Sequence, residues 1–139
     1  MSYARAAVAK LVLKYSTRCP YEIADHLGID IIEHPFKRIR GLVLQIHDRT
    51  VIGVQSTLPP YEKRAILAHE LGHHELHSST VGHYFIREHT HLVPGRIERE
   101  ADLFAAALLL DKHPWEGETM TEYSGRSGVP ARLVKVMWG

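Results

Sequence analysis

The chain has 139 residues and is 45% hydrophobic, enough for one sizeable core, so residues 1–139 read as a single domain. Its formal charge of +1 excludes the basic excess of a nucleic-acid binder and the acidic balance of a solvating tail. Cys19 is the lone cysteine, which excludes an intrachain disulfide or a cysteine metal cluster and points to a reducing, cytoplasmic setting.

Tyr3 to Tyr15 reads as an amphipathic helix with Val8, Leu11, Val12 and Tyr15 along one side. Arg5, Lys10 and Lys14 interrupt it within single turns, so neither a secretory leader nor a membrane span is expected there. Cys19-Pro20 breaks the chain, and Tyr21 to Leu27 makes a short second helix closed by Gly28. Ile29 to Ile32 reads as a strand. Gly41 to His47 and Thr50 to Gln55 are two β-rich runs joined by a hairpin at His47-Asp48-Arg49. Pro59-Pro60 suits the first turn of a helix running to about His77. Ser78 to Pro94 has weak periodicity and reads as a loop. A helix over roughly Arg96 to Leu110 follows, and a last one covers Ala131 to Trp138.

The helix after Pro60 carries His69-Glu70-Leu71-Gly72-His73. Two histidines four apart project from one helical face, so two imidazole nitrogens can converge on one ion. Glu70 sits about 100° round the helix from His69, where it can reach a metal-bound water without coordinating. Seven of the eleven histidines fall between positions 69 and 91, a clustering that suits a metal or proton-transfer site. Gly72 inside the motif costs about 1 kcal/mol relative to alanine, which predicts close approach of another element.

Catalytic zinc usually takes three protein ligands and leaves one position to water. A metzincin would need a histidine at position 79, which is Ser79. His77 lies roughly 12 Å along the helix from His69 and cannot share its ion, so it reads as a helix-end group or as one that supports a ligand. His83, His89 and His91 remain open from the loop, and so does a glutamate on the following helix, Glu98 or Glu100. On a helical wheel Glu98 borders the apolar stripe Ala101, Phe104, Ala105, Leu108 and Leu109, whereas Glu100 is rotated well away and is expected to meet solvent. Asp102 follows one turn after Glu98 and can accept the distal N–H of a ligand histidine. The bland alternative makes Glu98 and Glu100 a charged first turn at a helix N-terminus.

Taken together, Ala68-His69-Glu70-Leu71-Gly72-His73 with His77, and Glu98-Arg99-Glu100-Ala101-Asp102-Leu103-Phe104-Ala105-Ala106, resemble the ImmA/IrrE family of metallopeptidases, a compact branch of the gluzincin-like zincins. The resemblance reaches back through the hairpin Gly41 to Gln55 and covers roughly the central half of the chain. It implies zinc ligands at His69, His73 and Glu98, Glu70 as catalytic acid/base, and Asp102 supporting a ligand histidine. Two departures are minor: Asp102 stands where the family often has asparagine, and Leu109-Leu110-Asp111-Lys112 replaces the usual Leu-Leu-Met-Pro. The architecture expected is α+β: a small zincin-like domain with a short three-stranded sheet packed on the HExxH helix and the following Glu-bearing helix.

Zinc on such a ligand set lowers the pKa of a bound water to about 7, and Glu70 would carry its proton to the leaving amine. A donor to the developing oxyanion is expected from His83, Tyr84, His89 or His91. An extended peptide could add to the sheet edge near Gly41 to Gln55. The resemblance implies a protein substrate, a partner helix-turn-helix repressor of a mobile element or stress operon, with neither direct nucleic-acid binding nor a membrane involved. Three rivals stand beside this reading: an Fe(II) oxygenase site, a non-catalytic zinc-stabilised interaction module, and a small DNA-binding regulator. The last draws on the turn-then-helix character of Gly125 to Lys135 and of Tyr21 to Leu27.

Overall fold

A computed structural model of the protein describes residues 2–77 and 95–138, together with the backbone of 84–88. It is an α+β fold. In chain order it comprises α1 (Tyr3–Tyr15), α2 (Pro20–His26), β1 (Asp30–His34), β2 (Gly41–Ile46), β3 (Arg49–Gln55), α3 (Pro60–His77), β4 (Tyr84–Glu88), α4 (Gly95–Leu109), α5 (Met120–Ser127) and α6 (Ala131–Trp138).

The three expected strands are present and a fourth joins them, in the order β1-β3-β2-β4. β1 runs parallel to β3, while β2 pairs antiparallel with both β3 and β4. A two-residue turn links β2 to β3, and His47 takes a positive φ of 56° there, as a tight hairpin requires. The strand β4 lies within the stretch that reads as a loop. Tyr84-Phe85-Ile86 has strand-forming side chains but no alternation, and the hydrogen bonds that hold it come from β2, a partner about forty positions away. Helix α5 also escapes the periodicity reading. Its signal is a capping box: Thr119 Oγ1 accepts from the Glu122 amide at 3.1 Å, and the Glu122 side chain accepts from the Thr119 amide at 3.0 Å.

The core lies between the sheet and α3, between α3 and α4, and between α4 and the helices α1 and α6. Leu67, Leu71, Phe104, Leu108, Ile23, Ile52 and Leu133 are its largest enclosed side chains. Truncating any one of the leucines to alanine would cost about 2–5 kcal/mol. Nearly every residue of α3 from Ala65 to His73 is buried, polar ones included, so the helix runs through the middle of the molecule rather than over its surface. Gly72 meets the expectation of close approach. A methyl group built on it would lie 3.0 Å from Phe104 Cβ and 3.2 Å from the Ala101 backbone, so α3 and α4 are in contact along their small residues.

Two polar anchors fix the surrounding elements. Glu62, at the start of α3, accepts from Arg132 Nη1 at 2.9 and 3.0 Å and from Arg40, which ties α6 and the start of β2 to α3. At the far end of α4, Arg18 Nη1 donates to the carbonyls of Ala107 (3.0 Å) and Leu108 (3.3 Å), which have no partner within the helix. Among the described residues no helix is long and apolar enough to cross a membrane.

Candidate metal centre

The buried course of α3 and the tight α3–α4 contact bring the two sequence motifs together. His69 and His73 point from one face of α3, with their ring centroids 4.7 Å apart. Glu98, in the first turn of α4, faces both: its Oε2 lies 3.1 Å from His69 Nε2 and its Oε1 lies 2.7 Å from His73 Nε2. One ligand atom from each of His69, His73 and Glu98 falls within 4.8 Å of the others, close enough for a single cation. Asp102 stands on the opposite side of His69, its Oδ1 2.7 Å from Nδ1, so the Nδ1–H donates to a carboxylate and leaves Nε2 facing Glu98. The donor types suit a borderline cation such as zinc: two imidazoles, one carboxylate and no thiolate.

The electrostatics follow from this crowding. Burial alone would push the pKa of His69 down, but hydrogen bonds to Asp102 and Glu98 outweigh it and lift the value to about 9. Burial would likewise raise that of Glu98, yet the two imidazoles hold its carboxyl far below the usual carboxylate range. Burial lowers that of His73, and the neighbouring His69 charge adds to this against the opposing pull of Glu98. Without a cation, His69 and Glu98 therefore form an ion pair at neutral pH.

Glu70 is fully buried and lies against the start of β2. A methyl group on Gly41 would collide with Ile66 Cγ2 and come 3.1 Å from Glu70 Oε2, so glycine leaves room here for both side chains. No local pattern in the sequence singles out Gly41, because its neighbours come from a helix more than twenty positions later.

Glu100 departs from expectation. It meets solvent only in part: its Oε1 lies 3.3 Å from Nε2 of His77, whose Nδ1 lies 3.0 Å from Nδ1 of His73. The wheel that placed Glu100 away from the α4 core stripe is correct about that stripe. It takes no account of α3 extending one turn beyond His73 and covering this second side of α4. Beside the site lies a cavity of about 200 Å³ lined by His69, Glu98 and Asp102, by apolar Ala65, Ile66 and Leu133, and by Arg40 and Arg132. A larger one of about 270 Å³ between α1 and the end of α4 touches none of these groups. The oxyanion candidates His83, His89 and His91 fall outside the described residues, and of Tyr84 only the backbone is described.

Two imidazoles and a carboxylate that could hold one cation, with a buried glutamate between the histidines, thus stand together on one α+β scaffold. Residues 24–124 match the IrrE N-terminal-like domain, peptidase family M78, and the chain belongs to that family. It is also 32% identical, over 93% of its own length and 85% of the relative's, to an uncharacterized immunity region protein 2 of Bacillus phage phi105. No solved structure matches the chain.

Proposed function

We propose that the protein is a zinc endopeptidase, acting in the cytoplasm, whose substrate is a partner helix-turn-helix repressor. The observation that carries this reading is the convergence of His69, His73 and Glu98 within 4.8 Å, with Glu70 buried on the same helix. Membership of a peptidase family supports the reaction class, and the relative from a phage immunity region is compatible with a repressor as target.

When bound, zinc supplies a water acidified to about pKa 7 and a positive centre to polarise the scissile carbonyl. His69 and His73 present Nε2 as neutral donors, and Glu98 adds the single negative charge that keeps the site net positive. Asp102 holds the His69 ring by its Nδ1–H at 2.7 Å. Glu70 would take the proton of the attacking water and return it to the leaving amine, and the missing side chain at Gly41 leaves room for its carboxylate.

The test is a matched set of variants on the purified protein. Wild-type protein should contain about one zinc per chain and cleave the repressor encoded beside it. Glu70→Gln should keep the zinc and lose cleavage, whereas His69→Ala should lose both. A Glu70→Gln protein that still cuts the repressor at the wild-type rate would sink the mechanism. Absence of zinc together with no uptake on titration would sink the site.

A further inference from the structure

The reaction just described makes no use of His77 or Glu100, yet both are placed against the site. His77 is buried one turn beyond His73, and the two rings are 5.2 Å apart at 49°. The contacts run in series: His73 Nδ1 to His77 Nδ1 at 3.0 Å, then His77 Nε2 to Glu100 Oε1 at 3.3 Å. Glu100 comes from α4, as do Glu98 and Asp102.

Proton positions in this series follow from donor and acceptor chemistry. A neutral imidazole carries one N–H, and the nitrogen given to a metal cannot keep it. If His73 offers Nε2, the nitrogen facing Glu98, its proton resides on Nδ1 and needs an acceptor. Among the described residues Nδ1 of His77 is in reach, and it accepts only if the His77 proton is on Nε2. That proton in turn points at the Glu100 carboxylate, an acceptor with no competing tautomer. Were His77 to carry its proton on Nδ1 instead, two N–H groups would face each other at 3.0 Å. One end of the chain therefore dictates the other.

We propose that Glu100, acting through His77, is the positioning group that sets the ring orientation and tautomer of His73. It does for the second histidine at one remove what Asp102 does for the first by direct contact. The inference rests on the zinc site proposed above, but it needs only metal binding and not peptide cleavage.

Zinc affinity by chelator competition, the visible spectrum of the cobalt(II)-substituted protein, and the melting temperature of the metal-free protein would be measured for wild type, Glu100→Ala, Glu100→Gln, His77→Phe and the double variant. Loss of such a supporting partner typically weakens metal binding about ten- to a hundredfold, and Glu100→Ala and His77→Phe should each fall in that range. Glu100→Gln keeps a carbonyl acceptor and should restore most of the affinity and the wild-type cobalt spectrum. The double variant should bind zinc no worse than His77→Phe alone, because both changes break one series. The proposal is overturned if Glu100→Ala binds zinc within about twofold of wild type while only its metal-free melting temperature falls. It is equally overturned if the two single losses multiply in the double variant. Should His77→Phe not fold, the Glu100→Ala and Glu100→Gln pair decides alone, at a partly exposed position. Wild-type protein that binds zinc but cuts nothing would remove the peptidase reading and leave this one standing; protein that binds no zinc removes both.

Discussion

His69 is held between Asp102 at 2.7 Å and Glu98 at 3.1 Å, and under the proposed ligand set that confinement would make metal uptake a proton-exchange reaction. With a pKa near 9, the ring is cationic at neutral pH in the metal-free protein, and its Nε2 must shed a proton before that nitrogen can donate an electron pair. Zinc affinity should therefore climb with pH until about 9 and level off beyond it. At pH 7.5 binding should release about one proton, read by calorimetry in buffers of different ionisation enthalpy; no release would show the ring already neutral. The same shift has a sign for stability. A raised histidine pKa contributes fully below its ordinary 6.5 and is lost as pH rises through about 9, whereas the lowered Glu98 contributes above 4.5 and is lost on strong acidification. The metal-free protein should thus melt at progressively lower temperature between pH 6.5 and 9.

At the level of helices, Gly72 sets how closely α4 can approach α3. Gly72→Ala would gain about 1 kcal/mol of helix propensity but would press a methyl group onto the Ala101 backbone at 3.2 Å, an overpacking cost of about 1–3 kcal/mol. Because Ala101 lies on α4 between Glu98, three residues before it, and Asp102, an outward shift of α4 would also move these carboxylates. A small net loss in denaturation midpoint with a disproportionate loss of zinc affinity is the expected outcome; unchanged affinity would mean that the helix spacing is not what places Glu98. This contact also marks the limit of what local sequence conveys. The i, i+4 spacing puts His69 and His73 on one face, and Gly72 in mid-helix announces a close neighbour. The wheel of α4 orders Glu98 and Glu100 correctly against their own core stripe. It gives no account of Glu100, whose partner is set by how far α3 continues past His73. β4 was hidden because its hydrogen bonds are borrowed from β2, and Gly41 because the atoms that exclude a side chain there belong to Ile66 and Glu70.

Across the whole molecule, the groups that converge on the site come from two helices already joined by the core through Leu67, Leu71, Phe104 and Leu108. Stripping metal with a chelator should leave the helical circular dichroism in place while lowering the Tm. Returning free zinc to about a hundred times its dissociation constant should restore about 2.7 kcal/mol. A melt indifferent to chelator in a protein shown to carry zinc would place the ion away from both helices.

Arg18 then acquires a role beyond closing a helix end. It grips the last carbonyls of α4 at Ala107 and Leu108, while Glu98 occupies the first turn of the same rod. A helix advances 1.5 Å per residue, and coordination tolerates errors of only about 0.2 Å, so if Glu98 is the ligand proposed above, even a fraction of one residue's axial creep would take it out of reach. Gly72 limits α4 in separation and Arg18 limits it in translation. On that reading the segment between α1 and α2 would serve as an end-stop, steadying from the other end of α4 a carboxylate it never touches.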